Sequence, residues 1–183
     1  MLTKARTRGI IGGAAILTLF GGFWFIVTLV FQPVRPAWTI PAALVATFVL
    51  LVVCVMRWAA STKMPESHDP AAAAKGKRAG VAFGIVFGLE GGLIALVSVL
   101  LGRSGLSDWI PVAVGLIVGL HFLPLACVFE MPVYYWTGGL SILGILVCLL
   151  IHEVGPRLLC VGLVMGTTLW STTLLLLVRT RTP

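Results

Sequence analysis

Polar residues along this chain fall in short intervals, and between them run six apolar stretches: Gly9–Phe31, Ala37–Met56, Ala79–Leu101, Trp109–Phe129, Pro132–Ile151 and Leu158–Val178. Each is close to the roughly 20 residues that carry a helix across a bilayer. Four of them hold no charged residue, while the third contains Glu90 and the fourth His121. The two-residue alternation of a barrel strand is missing, so the pattern predicts six transmembrane helices. The first follows Lys4, Arg6 and Arg8, yet it is longer than a signal-peptide core and no small-x-small cleavage site closes it. It reads as a permanent helix, and residues 1–183 as a single transmembrane domain of all-α, polytopic fold class.

Composition agrees. Of 183 residues, 59% are hydrophobic and 10% charged, where a soluble domain carries about 25% charged residues. Mean hydropathy is +1.09. Soluble, disordered, collagen-like and disulfide-scaffold classes are excluded by the same figures.

The net charge of +7 is an orientation signal. In a six-span topology Lys4, Arg6, Arg8, Arg57, Lys63, Lys75, Lys77, Arg78, Arg179 and Arg181 share one side, and only Arg35, Arg103 and Arg157 face the other. The positive-inside rule then makes both termini cytoplasmic. Basic residues scattered at helix ends, with no reading motif, do not describe a nucleic-acid binder. Trp38 and Trp109 fit the outer aromatic belt, and Trp58, Tyr134, Tyr135 and Trp136 the inner one. The one long loop, Arg57–Arg78, mixes Pro, Ser, Ala and both charges, and is expected to be a flexible cytoplasmic linker in which His68 is solvated. No loop is large enough for a nucleotide fold or a catalytic module.

Ionisable groups at the bilayer midplane carry the functional argument, because a charge there costs about 3 kcal/mol or more without a partner or a proton. Glu90 lies 13 residues before Arg103 and His121 lies 13 after Asp108, so antiparallel neighbouring helices set them at similar depth. Gly80, Gly84, Gly88 and Gly92 form one small-residue ridge, and Gly115 and Gly119 another. Each polar residue falls two positions from a ridge glycine, roughly 200° around the helix, which predicts two occupied faces and a central place for both helices. Pro124 removes the donor to the Leu120 carbonyl, so a kink is expected beside His121, with the carbonyl open to water or a polar side chain. Glu90, His121 and Pro124 together outline a polar midplane pocket.

His152 and Glu153 sit at the outer end of the fifth stretch as a candidate mouth pair. Cys54, Cys127, Cys148 and Cys160 fall inside spans without CxxC or Cys–His spacing, and read as apolar fillers. Neither a metal nor another cofactor is implied.

Two function classes stay open. In one, the pocket binds or conducts a proton or small solute, as a small transporter or proton-linked permease, with Glu90 carrying the charge and His121 tuning it. In the other, the Glu90–His121 pair fixes helix packing in a structural or assembly protein. The glycine ridges would serve packing within one chain or between copies in an oligomer. An intramembrane enzyme is disfavoured, since HExxH and G-x-S-x-G are both absent. Val30–Thr39 (VFQPVRPAWT) echoes Val128–Thr137 (VFEMPVYYWT), the mark expected if spans one to three and four to six were inverted repeats, although matches this short and apolar arise readily by chance.

The segment GLHFLPLACVFEMPVYYWTGGL, preceded by GIVFGLEGGLIAL, resembles a family of small uncharacterised bacterial integral membrane proteins. The resemblance spans about residues 80–140 and rests on GLHFLPLA followed by PVYYWTG. It implies six helices, includes Glu90, His121 and Pro124 in the shared motif, and brings no assigned activity.

Overall fold

A computed structural model describes residues 3–30, 32, 35–66 and 69–180. Phe31, His68 and Arg181 lie outside the described residues. Among those described, the protein is all-α: α1 (Lys4–Val30), α2 (Thr39–Ala60), α3 (Pro70–Arg103), α4 (Ile110–Phe129), α5 (Val133–Cys148) and α6 (Val154–Arg179), with short 3-10 turns at Ser61–Lys63 and Ser107–Trp109. Five of the helices are long and apolar enough to cross a membrane. Their outward side chains include Phe48 and Leu89 at 66% and 70% exposure, and Leu150, in the turn after α5, is 76% exposed. Apolar surface on that scale belongs against lipid, and the architecture is that of a multi-pass membrane protein.

Two elements depart from the sequence reading. The fifth stretch yields a helix of only 16 residues, Val133–Cys148, where Pro132–Ile151 was expected. At 1.5 Å per residue it is about 24 Å long, short of the roughly 30 Å hydrocarbon core. The chain leaves it by a turn at Leu149–Leu150 and re-enters a helix at Val154, four residues before the expected Leu158. Pro156 fits in that first turn because its missing N–H has no helical acceptor there.

The second departure is the expected flexible linker. Its last nine residues, 70–78, are the start of α3. Asp69 caps them, its Oδ1 accepting the Ala71 N–H at 2.9 Å, and Pro70 and the Ala71–Ala74 run favour the helix that follows.

The chain forms two compact units, Met1–Lys77 with Gly166–Pro183, and Arg78–Met165. In the first, α1 packs on α2 and on the second half of α6. Small residues set the approach: Gly21 lies under the Trp170 indole, Gly166 under the Phe25 ring, and Gly22 against Thr47. Two of the buried hydroxyls share one helix carbonyl, while the Thr7 hydroxyl has no hydrogen-bond partner among the described residues. Thr18 and Thr173 both donate to the Ala14 carbonyl, at 2.8 and 3.2 Å, and the Trp170 indole N–H donates to the Thr18 carbonyl at 3.1 Å. At one end Lys4 pairs with Glu66 at 2.6 Å, while Arg8 lies 5.1 Å over the Trp58 ring and donates to Ser61 Oγ.

In the second unit α4 packs chiefly on α5. Gly138 faces the Gly119 carbonyl so closely that a methyl group there would sit 2.7 Å from the oxygen. The α4–α5 turn is closed by Glu130 in the left-handed conformation (φ 52°), with the Met131 N–H reaching back to the Ala126 carbonyl at 3.1 Å. Phe122, Tyr134 and Phe129 follow as a run of ring contacts at 5.9 and 6.0 Å. Cys148 and Cys160 form a disulfide that ties the end of α5 to α6, correcting their reading as fillers. Cys54 and Cys127 remain free thiols.

Two predictions follow from this packing. Gly138→Ala should lower stability by about 1–3 kcal/mol, because the atom it meets is backbone. Gly88→Ala, with nothing within 4 Å, should be neutral or add up to about 1 kcal/mol through helix propensity. Unfolding of both variants in mixed detergent checks the contrast. Alkylation of the denatured chain without reductant should label two cysteines, and four after reduction; four in both states would show that the bridge does not form.

Candidate functional site

Within the second unit α3 and α4 run antiparallel, and two contacts two turns apart fix their register. Phe83 meets Phe129 with ring centres 5.9 Å apart, and further along Glu90 meets His121. Glu90 Oε2 lies 3.0 Å from His121 Nδ1, with side chains 10% and 9% exposed. The imidazole stands edge-on to the Phe122 ring, centres 5.2 Å apart. Nδ1 is sealed from the surface and makes no aligned hydrogen bond, so the contact is an ion-pair approach without a bond closing it. A carboxylate and an imidazole this close can hold one proton between them in more than one arrangement.

The remaining sequence candidates fall in different places. Pro124 lies on the exposed side of α4 together with Leu120, next to His121 around the helix, and helical structure runs unbroken through it to Phe129. Gly115 and Gly119 face Ile145 and Ile142 of α5, so the α4 ridge is a packing surface. On α3, a methyl group added at Gly80, Gly84, Gly88 or Gly92 would meet nothing within 4 Å among the described residues, and the helix sends no apolar side chain into the core. The central place expected for both helices therefore holds for α4 alone. The geometry explains why, since the 200° offset that turns Glu90 toward α4 turns the glycines away from it. His152 and Glu153 are exposed in the connection before α6, and no ion pair joins them among the described residues. No group of three or more His, Cys, Asp or Glu that could hold a metal occurs among the described residues.

Three polar features were missed in the sequence. The Thr18–Thr173–Trp170 set uses residues common in lipid-facing helices, and only three-dimensional packing brings it together. The disulfide left a legible trace, because Cys148 and Cys160 flank one short connection between consecutive apolar stretches. Arg157 was counted as a loop charge, yet it is 94% buried, stacked on Trp109.

The sequence model of a family described as a family of unknown function (DUF7010) matches residues 82–179, more than half of the chain. That range holds Glu90, His121 and Pro124 and excludes α1 and α2. No curated protein and no solved structure matches the chain.

If Glu90 and His121 interact energetically as well as spatially, a double-mutant cycle with Glu90→Ala and His121→Ala should return a coupling of about 1 kcal/mol. Unfolding free energies that add to within about 0.3 kcal/mol would show two independent side chains.

Proposed function

We propose, for a chain that belongs to the DUF7010 family of unknown function, that it is a small transporter or proton-linked permease whose working groups are Glu90 and His121. The observation that carries the reading is the 3.0 Å approach of a carboxylate and an imidazole, both about nine-tenths buried, between two apolar spans, 79–101 and 109–129, that hold no other charged residue. Intramembrane ionisable residues mark ion and proton pathways more often than not. Glu90 takes up and releases the proton or small cation, and His121 accepts or returns it as α3 moves. The Leu120 carbonyl, left without its helical donor by Pro124, offers a further acceptor one residue away.

The conformational side of the reading rests on α3. A helix that sends no apolar side chain into the core can shift against its neighbour without repacking that core. Orientation is part of the proposal too. The Cys148–Cys160 bridge belongs in an oxidising compartment, which suits the end of α5 and the start of α6 facing outward and both termini facing the cytoplasm of a bacterial inner membrane. The 16-residue α5 then crosses as a sixth, short span, completed by its apolar flank Leu149–Ile151 and local thinning of the bilayer.

A second reading is favoured by the same exposed helix. With so little of α3 buried, the Glu90–His121 contact serves as a clasp that keeps α3 on α4, and the protein acts as a structural or assembly component.

Proteoliposomes under an imposed membrane potential separate the two. Transport predicts proton flux in the wild type that falls at least tenfold in Glu90→Gln, with a melting temperature within a few degrees of wild type. Absence of flux in both, with Glu90→Gln melting clearly lower, would overturn transport and leave the clasp.

A further inference from the structure

Arg157 lies in the first turns of α6 and Trp109 immediately before α4, at the end of the second unit where both helices begin. The guanidinium carbon is 4.3 Å above the centre of the Trp109 ring, and the residue is only 6% exposed. Its Nε is sealed from the surface and has no hydrogen-bond acceptor. Asp108, next to Trp109, and Glu153, one turn before Arg157, are both exposed, and no ion pair joins either to the guanidinium among the described residues. The first turn of α6 holds no acidic residue. One turn along α6, Cys160 is bonded to Cys148, so the segment that carries Arg157 is anchored covalently to α5.

A guanidinium stays charged at any pH a cell meets, and it presents its N–H donors in the plane of the group. Stacking on an indole satisfies one face by cation–π attraction and leaves the in-plane Nε–H without an acceptor. A buried N–H donor left without an acceptor is costly in an apolar surrounding, and no described residue supplies one to Arg157 Nε. The planar fork matches the paired oxygens of a phosphate. Tryptophan places its ring at headgroup depth, where phosphate is the abundant anion.

From these observations we infer that Arg157 and Trp109 form a headgroup site for an anionic phospholipid, in which the lipid phosphate bridges the guanidinium edge and the indole serves as a fixed platform. The site is separate from the Glu90–His121 contact and does not depend on transport.

The test is a titration of the full-length protein, purified in neutral detergent, with phosphatidylglycerol or with inorganic phosphate at constant ionic strength, reading thermal unfolding. Phosphatidylglycerol should raise the melting temperature of the wild type. Arg157→Gln should need at least ten times more lipid for half the shift, with Arg157→Lys between the two because it keeps the charge and loses the fork. Equal lipid responses in wild type and Arg157→Gln would overturn the site. A shift of the same size with inorganic phosphate, lost in Arg157→Gln, would overturn the lipid and assign a free anion. If Arg157→Gln does not fold, Trp109→Leu decides, since removal of the platform should weaken the lipid response and an unchanged one rejects the proposal.

Discussion

Lipid tails are as apolar as leucine, so two helices in a bilayer gain little by burying leucines against one another. Whatever holds them together must be something lipid cannot offer: a backbone approach close enough for many weak contacts, or a polar group that finds its partner. The approach of Gly138 to the Gly119 carbonyl is the first kind and the Thr18–Thr173–Trp170 set is the second. The rest follows from where each is available. α4 has glycines facing α5 and becomes the centre of its unit, with the ring contacts of Phe122, Tyr134 and Phe129 filling the space that the glycines leave below. α3 has glycines too, but they point away, and its holds on α4 include one aromatic contact and one ionisable pair.

That contrast shows how far the sequence could be read. Helices α1 to α4 and α6 are legible because long apolar runs admit no other structure in lipid. The depth match of Glu90 and His121 is legible because two equal offsets from one turn need only the rise of a helix. What the spacing of Gly80, Gly84, Gly88 and Gly92 cannot disclose is whether a second surface exists for them to meet. Four-residue periodicity states that a face is smooth and says nothing about what lies opposite. The length of α5 was hidden for a related reason: hydropathy continues through Leu149–Ile151 after the helix has stopped, because a turn in lipid-facing sequence can be as apolar as the helix before it. The first nine residues of α3 were hidden by composition, where a polar, alanine-rich segment looks like a linker until Asp69 and Pro70 are recognised as a helix start.

The candidate site divides along the same line. Glu90 and His121 are visible in the sequence as exceptions, since charge in an apolar run draws attention by itself. Arg157 is invisible there, because an arginine between two apolar runs is the expected punctuation, and only its burial against Trp109 separates it from Arg35 or Arg103. Both features pose one physical problem, a charge short of partners, and they differ in its resolution. The carboxylate and imidazole have each other, 3.0 Å apart. The guanidinium cannot give its proton up, which leaves it dependent on a counter-charge.

The continuity of α3 has a mechanical consequence. Its 34 residues make a rod about 51 Å long, well beyond the roughly 30 Å of hydrocarbon. Glu90 is 20 residues from Pro70, about 30 Å along that rod. If the Glu90 contact with α4 changes, a helix unbroken over this distance would act as a lever with Glu90 near its fulcrum. A tilt of about 10° at the fulcrum would displace the Pro70 end by about 5 Å, given that length. Events at a buried carboxylate would thus be amplified into a movement of the basic stretch Lys75–Arg78, where water, lipid headgroups or another protein can feel it.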